Sequence, residues 1–416
     1  MSRLTPLLLR NTLTLLLAGG QGERLFPLTK DRSKPSVPYA GCYRIADFSL
    51  SNCLNSGLRR IYVLTQFKSQ SLDRHIRNGW SILNRELDEF IETVPPQRRI
   101  TNRWYEGTAD AIYQNVYLLE QTRPDCVLIL SGDHIYRMDY FQLLEFHSQK
   151  GADVTIASYE YPLDQSSSFG VIHVDKNDRV VRFVEKPADP PPIPGKPDTS
   201  LVNMGVYVFD TATLVRAVID DAKRSDSEHD LGKNIFPRLL ENGNAAIYSY
   251  PLSRQDPNPY WRDVGGIASY YEATMDLLDS EISIRLFSPD WPLRTDALQQ
   301  NPIRLNLENH DDIRIDQSII SAGCHIEGSL SRCVLSPRVS VQRGSRLVGC
   351  VVFNDTQIGK RCRIRNAIID KKVVIPDDCV IGYDPVSDRK QFLVSEENIV
   401  VIPKGLIVEP TASTTA

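Results

Sequence analysis

The stretch Leu13–Val37, LTLLLAGGQGERLFPLTKDRSKPSV, predicts both the fold class and the place of the candidate site. Its leucine-rich start is a short apolar run typical of a fully buried parallel strand. Glycines and then cations follow, namely Gly19, Gly20, Gly22, Arg24, Arg32 and Lys34. A loop without side chains turns sharply and offers its amide protons to anions, and fixed cations beside it favour a polyphosphate ligand.

Two common glycine loops do not match this sequence. The dinucleotide-binding fingerprint requires G-x-G-x-x-G, and the P-loop ends in Gly-Lys followed by Ser or Thr. Here the loop reads G-G-x-G-x-R-L, and Lys34 comes more than ten residues after the glycines. Hydride transfer and P-loop phosphoryl chemistry are therefore disfavoured. A tight strand-to-helix turn with solvated cations is the alternative for the loop taken alone.

Composition places the chain among ordinary globular proteins. Its 416 residues suffice for two domains, and 41% are hydrophobic and 24% charged. The net charge of -4 predicts no binding to nucleic acid or to an anionic membrane. The eight cysteines and seven histidines show no zinc-ligand spacing, so reduced thiols in a cytoplasmic protein are expected.

The apolar N-terminus is interpreted as part of a first strand and not as a signal peptide. Pro6, Arg10 and Asn11 interrupt the apolar run, and its last leucines lead into the glycine loop. No other apolar stretch approaches the roughly 20 residues that a membrane helix needs. We therefore expect no membrane partner.

The order of elements after the loop predicts an α/β fold. Residues 45–56 have helical spacing and end at Gly57, and residues 61–65 form an apolar strand. A strand, helix and strand in this order favour a parallel βαβ unit. Residues 72–91 also show helical spacing and predict a further helix.

Two aspartates are candidate metal ligands. Asp133 follows the apolar strand 127–130, and Asp263 lies in the segment YWRDVG. Ligands of open α/β sheets bind beyond the carboxyl ends of strands, so Asp133 is expected near the glycine loop. Two carboxylates can hold Mg²⁺ against phosphates. The alternative for Asp133 is a cap of the helix that begins near Tyr140.

A second domain is predicted from a repeat. Apolar residues spaced six apart recur after 17 residues, as Leu335, Val341 and Leu347, then Val352, Ile358 and Ile364, then Ile369, Ile375 and Ile381. Six-residue steps in groups of three describe a triangular coil of the hexapeptide type with one shortened corner. Cys333 and Cys350 also differ by 17, and core filling is expected there instead of a disulfide.

Taken together, these features resemble the sugar-phosphate nucleotidylyltransferases along nearly the whole chain. The motifs that carry the resemblance are LAGGQGERLFPLT, RSKP, IADFSLSNCLNSG, YVLTQF, WYEGTADA, SGDHIYRMDY, FGVI, FVEKP, NMGVYVFD, HDLGK and PYWRDVGG. The resemblance implies a Rossmann-like mixed-sheet nucleotidyltransferase domain and a left-handed parallel β-helix. The predicted boundaries are 1–286 for the catalytic domain, 287–310 for a linker, 311–404 for the β-helix and 405–416 for a tail.

The resemblance also implies roles for individual residues. The residues implied to bind ATP are Leu17, Ala18, Gly19, Gly20, Gly22, Arg24, Lys34, Gln66, Gly107 and Thr108. Those implied to bind glucose 1-phosphate are Tyr105, Gly170, Glu185, Lys186, Asn203, Asp230 and Trp261, with Asn203 standing where relatives often have serine. Asp133 and Asp263 would hold Mg²⁺, and Asp133, Arg24, Lys34 and Lys186 would be the catalytic residues.

The implied reaction converts ATP and glucose 1-phosphate to ADP-glucose and pyrophosphate, for glycogen synthesis in the cytoplasm by a homotetramer. The nucleophile is a phosphate oxygen that is already ionised, which agrees with the absence of a Ser-His-Asp or Cys-His constellation. A different nucleotide or sugar, or a non-catalytic regulatory subunit, is the alternative. Acyltransferase activity of the β-helix is disfavoured, because it would need a well-placed catalytic histidine. His325 lies in a degenerate early coil, where a structural role is expected.

Regulation by an anionic small molecule is a hypothesis that depends on clustered cations. Asp31 stands where many relatives that are activated by sugar phosphates have lysine, and Pro38 stands where some have histidine. The activator of this protein is therefore expected to differ from the activator of those relatives. The candidate effector residues are Arg32, Arg44, Lys360, Arg361, Arg363 and Arg365. A solvated basic rim is the alternative.

Overall fold

The computed structural model describes residues 5–97, 104–296, 299–306 and 314–409. A mixed sheet covered by helices comes first, and a solenoid of short parallel strands follows it along the chain. The predicted fold class, a Rossmann-like α/β domain followed by a parallel β-helix, is confirmed.

The strand Thr12–Ala18 lies in the middle of the large sheet, as its apolar sequence predicts. It pairs in parallel with Arg60–Thr65 on one side and with Cys126–Ser131 on the other. Within the described chain, the strands in spatial order are Val180–Glu185, Gly170–Val174, Thr199–Asp210, Cys126–Ser131, Thr12–Ala18, Arg60–Thr65 and Phe90–Val94, with Val154–Pro162 beside Thr199–Asp210 and Ile247–Pro251 beside Val154–Pro162. Thr199–Asp210 runs antiparallel to Cys126–Ser131, which makes the sheet mixed.

Helices pack on the sheet and continue towards the solenoid. Their bounds in the described residues are Thr5–Arg10, Ile45–Asn55, Gln70–Gly79, Thr108–Tyr113, Val116–Thr122, Tyr140–Lys150, Thr211–Ala222, Phe236–Glu241, Ile267–Asp276 and Ser280–Leu286. The predicted helix over residues 72–91 is wrong in its second half. The helix ends at Gly79, and Phe90–Val94 is an edge strand whose apolar residues pair with Arg60–Thr65.

A two-stranded ribbon brings the two candidate metal ligands together. His134–Tyr136 pairs antiparallel with Trp261–Asp263, and Asp263 lies directly opposite His134 in this register. The ribbon extends from the end of the strand Cys126–Ser131, so both aspartates lie at the edge of the sheet where the glycine loop begins. This placement agrees with the expectation for ligand sites in open α/β sheets.

The solenoid follows the predicted repeat. Leu335, Val352 and Ile369 are consecutive partners in a parallel ladder, as are the other two predicted sets, and all are buried. Short strands make up its faces, namely Arg304–Leu305, Ile315–Asp316, Ile319–Ile320, His325–Ile326, Ser329–Ser331, Val334–Leu335, Ser340–Val341, Arg346–Val352, Gln357–Ile358, Arg363–Ile369, Val374–Ile375, Val380–Ile381, Leu393–Val394 and Val400–Ile402. A four-residue helix, Pro385–Asp388, precedes the last two strands.

The early coils are shorter than the repeat. Ile326 pairs with Val341, a spacing of 15 residues, whereas Leu330 pairs with Leu347, a spacing of 17. Cys333 and Cys350 are buried free thiols, so the expectation of core filling is confirmed. His325 lies on a short strand of an early coil, in agreement with a structural role.

The ends of the solenoid extend beyond the residues predicted for it. Arg304–Leu305 pairs with His325–Ile326, and the backbone N–H of Val408 donates to the carbonyl oxygen of Val374. Residues 410–416 of the predicted tail lie outside the described residues. Among those described, no helix combines the length and apolarity needed to cross a membrane.

One face of the solenoid packs against the α/β domain. Val351, Ile368 and Val401 belong to the same buried cluster as residues of the helix Ile267–Asp276. The hydroxyl of Tyr271 on that helix donates to the carbonyl oxygen of Gly349 across the contact. The two domains therefore share a continuous apolar interface.

We expect Ile364→Val to lower the free energy of unfolding of the solenoid by about 1 kcal/mol, because it leaves a small cavity in a buried coil. Ile364 is fully buried, whereas Ile407 is 71% exposed. Urea unfolding followed by far-ultraviolet circular dichroism measures the change, and Ile407→Val is the matched control. Equal effects of the two substitutions would contradict the inward orientation of Ile364.

Candidate active site

A cleft of about 400 Å³ lies beyond the carboxyl ends of the central strands. Eleven predicted residues line it, namely Leu17, Ala18, Gly19, Gly20, Lys34, Gln66, Tyr105, Gly107, Thr108, Asp133 and Asp230. Residues that the sequence analysis did not single out also line it, including Gln21, Phe67, Glu106 and Ser131. The structure thus brings the glycine loop, the candidate base-contacting residues and Asp133 to one place.

The glycine loop needs its glycines for two different reasons. Gly22 has φ of 66°, a left-handed conformation that favours glycine, and its carbonyl oxygen accepts a hydrogen bond from the hydroxyl of Thr29. At Gly19, a Cβ atom would lie 3.2 Å from Cβ of Gln66. The loop therefore turns tightly and lies close to Gln66, which faces the same cleft.

Lys34 connects the two candidate metal ligands. Its Nζ lies 2.7 Å from Oδ2 of Asp133 and 3.4 Å from Oδ1 of Asp263. Burial alone would lower the pKa of Lys34, but the two carboxylates outweigh burial and raise it. Burial likewise opposes ionisation of Asp133, yet the ammonium group of Lys34 holds the pKa of that carboxyl well below its usual range. Both groups are charged at neutral pH.

His134 is a third member of this cluster that the sequence analysis missed. Ligand atoms of Asp133, His134 and Asp263 all lie within 4.8 Å of one another. Two carboxylates and an imidazole suit a divalent cation, so the donor set fits a metal. The position of His134 directly after Asp133 could have indicated this role from the sequence. Its pairing with Asp263 could not, because the two residues come from segments far apart in sequence.

The capping alternative for Asp133 is not observed. Asp139 caps the helix Tyr140–Lys150, since its Oδ1 accepts the backbone N–H of Phe141 at 2.9 Å. Asp133 instead accepts hydrogen bonds from Lys34 and from the hydroxyl of Ser131. Its carboxylate is thus available to the cleft and not to a helix terminus.

Aromatic and hydroxyl groups line the side of the cleft predicted to hold the base. Phe67 and Trp104 stack with ring centroids 5.9 Å apart and planes at 24°. Thr108 Oγ1 donates to Oδ2 of Asp230 at 3.0 Å. The predicted base contact Thr108 and the predicted sugar contact Asp230 are therefore joined by a hydrogen bond.

Of the predicted sugar-phosphate residues, Gly170, Lys186 and Asp230 lie near Glu185. Burial, aided by the negative charge of Asp230, raises the pKa of Glu185. A Cβ atom on Gly170 would lie 2.7 Å from Cζ of Phe183 and 2.8 Å from Oε2 of Glu185, so glycine lets both side chains pack against its backbone. Lys186 has φ of 48° and its N–H donates to the carbonyl oxygen of Phe169. The side-chain amide of Asn203 donates to the hydroxyl of Tyr207 at 2.8 Å.

A second cleft of about 870 Å³ contains one predicted residue each for ATP, for glucose 1-phosphate and for the metal. Arg24, Trp261 and Asp263 line it, and Glu396 and Glu397 of the solenoid contribute to its opposite wall. The ion pair of Lys34 with Asp263 connects the two clefts. The predicted residues that line neither cleft are Gly22, Gly170, Glu185, Lys186 and Asn203.

The predicted effector residues do not form one cluster. A third cleft, of about 580 Å³, lies between the domains and is lined by Arg44 and by Lys371, which the sequence analysis did not single out. Burial first, and then Arg44 and Arg32, lower the pKa of Lys371 to about 7. Of the six predicted residues, all of them described by the structure, Arg44 alone lines this cleft.

The other five predicted cations do not line this cleft. Arg32 is buried in an ion pair with Asp370 at 2.7 Å, so it stabilises the domain interface. Lys360 and Arg361 lie at a turn, and Arg361 pairs with Asp378. The guanidinium groups of Arg363 and Arg365 lie 4.7 and 4.3 Å from the ring centroid of Tyr383.

Comparison with known proteins gives consistent matches along the chain. Residues 13–280 match the family described as nucleotidyl transferase, and residues 303–402 match the GlmU-like C-terminal hexapeptide family. Glucose-1-phosphate adenylyltransferase 2 of Vibrio cholerae is 46% identical over 95% of this chain and 98% of its own length. The glucose-1-phosphate adenylyltransferases of Rhodopirellula baltica and Thiobacillus denitrificans are 43% and 45% identical, over 98% and 96% of this chain and 93% and 92% of their own lengths.

Proposed function

This chain belongs to the nucleotidyl transferase family and, within it, to the glucose-1-phosphate adenylyltransferases, and from this premise we propose how its cleft forms ADP-glucose and pyrophosphate from ATP and glucose 1-phosphate. The observation that carries the proposal is the convergence of Lys34, Asp133 and Asp263 beside the glycine loop. A loop of amide donors, a buried cation and paired carboxylates suit transfer between phosphates.

The nucleophile needs no general base. The second pKa of a phosphate monoester is about 6, so a phosphate oxygen of glucose 1-phosphate is ionised at neutral pH. This oxygen attacks the α-phosphorus of ATP, and the bond from that phosphorus to the bridging oxygen of the β-phosphate breaks. Pyrophosphate leaves with the bonding electron pair. Catalysis then depends on alignment and on neutralisation of charge.

Lys34 and Arg24 are proposed to bind the phosphates that leave. Lys34 is held by Asp133 and Asp263, and the oxygens of a polyphosphate in the cleft would accept further charge-assisted hydrogen bonds from its ammonium group. Arg24 lines the adjoining cleft beside Asp263, on the side where pyrophosphate would depart. The two cations would thus stabilise the negative charge that develops on the leaving group.

Asp133 and Asp263 are proposed to hold Mg²⁺, with His134 beside them. Oxygen ligands from carboxylates suit Mg²⁺, which also keeps phosphate oxygens and water as ligands. When bound, the ion would neutralise charge at the phosphates. Equilibrium dialysis with Mn²⁺ and the ATP analogue α,β-methylene-ATP tests this assignment without turnover, and Asp263→Asn should weaken retention of the ion.

The sugar side is proposed to be built from the residues around Asp230 and Glu185, with Tyr105, Gly170, Asn203 and Trp261. Trp261 is only 2% exposed and its Nε1 has no hydrogen-bond partner in the described residues, so it can donate to a ligand in the cleft beside it. Lys186 is proposed to bind the phosphate of glucose 1-phosphate. These assignments orient the nucleophile towards the α-phosphate.

Pyrophosphate release by the purified protein tests the function. With Mg²⁺ and glucose 1-phosphate present, we expect turnover with ATP to exceed turnover with UTP, GTP and dTTP. Preference for another nucleotide would redirect the proposal to a sibling activity. No turnover with any nucleotide, even with sugar phosphates added as activators, would favour a regulatory subunit.

The cleft between the domains is proposed to bind an anionic effector through Arg44 and Lys371. Because the pKa of Lys371 is about 7, its ammonium form predominates below that pH and is lost above it. We therefore expect the affinity for inorganic sulfate, used as a probe, to fall as pH rises from 6 to 8. Calorimetric titration measures it, and Lys371→Met should remove the pH dependence. Unchanged affinity across this range would contradict the role of Lys371.

A homotetramer and a cytoplasmic location are further proposals that follow from the family. Light scattering coupled to size exclusion should give a mass near four times the 47.0 kDa of one chain. Cell fractionation should place the activity in the cytoplasmic fraction.

A further inference from the structure

A buried network centred on Asp221 lies behind the turn that carries Asp230. Asp221 is 2% exposed at the end of the helix Thr211–Ala222. Its carboxylate accepts the hydroxyl of Ser227 at 2.6 Å and pairs with Arg238, and it lies 2.7 Å from Nδ1 of His229. Because a carboxylate only accepts, Nδ1 of His229 carries the proton. We call Asp221, Ser227, His229 and Arg238 the Asp221 network.

The network holds His229 in an unfavourable backbone conformation. His229 has φ of 54°, in the left-handed region that is unfavourable for a residue with a side chain. Its N–H donates to the hydroxyl of Ser227 at 3.0 Å, and its ring is fixed by Asp221. Such a conformation persists where surrounding contacts enforce it. The carbonyl group of His229 therefore points in a direction set by the network.

That carbonyl group supports the side of the cleft predicted to bind the nucleotide. Its oxygen accepts the N–H groups of Ala109 at 2.8 Å and Asp110 at 3.3 Å. A Cβ atom on Gly107 would lie 2.3 Å from the same oxygen, so the backbone at Gly107 rests directly on His229. We call Gly107 and Thr108 the nucleotide-side turn.

The residue after His229 serves the other substrate. Asp230 accepts the hydroxyl of Thr108 at 3.0 Å, and Thr108 Oγ1 in turn accepts the N–H of Leu231 at 2.8 Å. We call His229 and Asp230 the sugar-side turn. The two turns are thus joined by backbone and side-chain hydrogen bonds, and the Asp221 network lies beneath both.

From these contacts we infer that Asp221 and His229 are positioning residues, which make the nucleotide and sugar-phosphate subsites a single unit so that each substrate strengthens binding of the other. This inference rests on the proposed function, because it takes Thr108 and Asp230 as contacts of the two substrates. Asp221 lines neither cleft and acts through His229. Coupling of this kind between two ligands is typically 5-fold or more.

The test uses the full chain with Asp221→Asn, and Asp220→Asn as the matched control. Asp220 is exposed and pairs only with Lys223 on the surface of the same helix among the described residues. Calorimetry gives the dissociation constant of glucose 1-phosphate with and without α,β-methylene-ATP. We expect the analogue to tighten binding about 5-fold in the wild type and in Asp220→Asn, and less than about 2-fold in Asp221→Asn.

Steady-state kinetics adds a second readout. When assayed well below its melting temperature, Asp221→Asn should have KM values for ATP and for glucose 1-phosphate that are each raised about 10-fold. If Asp221 only stabilised the fold, the substitution would lower the melting temperature and leave both KM values unchanged. If Asp221→Asn does not fold, His229→Asn is measured instead, because asparagine tolerates a positive φ. Wild-type coupling retained in the folded variant would overturn the inference. Absence of turnover in the wild type would instead overturn the proposed function.

Discussion

Replacing Asp133 by asparagine is expected to lower kcat about 10³-fold while the protein remains folded. The substitution keeps the shape of the side chain but removes the charge that pairs with Lys34 and completes the carboxylate pair with Asp263. Loss of one group that stabilises transition-state charge lowers kcat about 10²–10³-fold. The upper end of this range is expected, because Asp133 both positions Lys34 and is proposed to hold the metal ion. A 10³-fold loss corresponds to about 4 kcal/mol of activation free energy.

Asp139→Asn provides the matched control for this experiment. Asp139 lies six residues further along the chain and caps a helix, a role that asparagine fills equally well. Pyrophosphate release should therefore be unchanged in the control, and the circular dichroism spectra of both variants should match the wild type. A decrease of less than 10-fold in Asp133→Asn would exclude Asp133 from the reaction centre.

Replacing Asp370 by asparagine is expected to lower the free energy of unfolding by about 3–5 kcal/mol. Both oxygens of Asp370 lie 2.7 Å from Nη2 of Arg32, and both side chains are almost completely buried at the domain interface. Removal of one partner leaves the guanidinium group buried without its counter-charge, which is the costly case for a buried ion pair. The variant should also loosen the contact between the domains.

The tryptophans make the two domains separable in this measurement. All four precede the solenoid, namely Trp80, Trp104, Trp261 and Trp291. Urea unfolding followed by fluorescence thus reports the catalytic domain, while circular dichroism reports both domains. Asp378→Asn is the control, because Asp378 pairs with Arg361 on the exposed surface, where ion pairs contribute little.

Two results would decide the role of this ion pair. Removing both charges, in Arg32→Leu with Asp370→Leu, should recover most of the lost stability, since no buried charge is then left alone. An Asp370→Asn variant as stable as the surface control would show that the interface does not depend on the pair.

Sequence periodicity predicted the parts of the fold in which each residue repeats a local pattern. The 17-residue spacing identified the partners that follow Leu335, Val341 and Leu347 along the stack, because a solenoid places equivalent residues on adjacent coils. Helical periodicity gave a wrong prediction for residues 72–91. The polar residues of the exposed stretch between Gly79 and Phe90 have a spacing that resembles that of a helix. There the pairing of Phe90–Val94 with the sheet decides the conformation.

The site was predictable where one segment supplies it and not where distant segments meet. The glycine loop and Asp133 each follow a strand, so their common position follows from the rules of parallel sheets. His134 and Lys371 escaped notice, because their neighbours Asp263 and Arg44 come from remote parts of the chain. Arg32 was predicted to bind an effector, but its partner Asp370 is 338 residues away and no local pattern reveals it.

The ion pair of Arg32 with Asp370 also limits how the molecule can change its length. A solenoid accepts duplication or loss of a whole repeat unit, since each coil contacts only its neighbours. Adding one unit before Asp370 would move that carboxylate about 4.8 Å along the stack, the spacing of adjacent strands, and so out of reach of Arg32. Units added after the last coil would leave the pair in place. The pair therefore fixes the number of coils before Asp370, whereas the number of coils after the last one can increase.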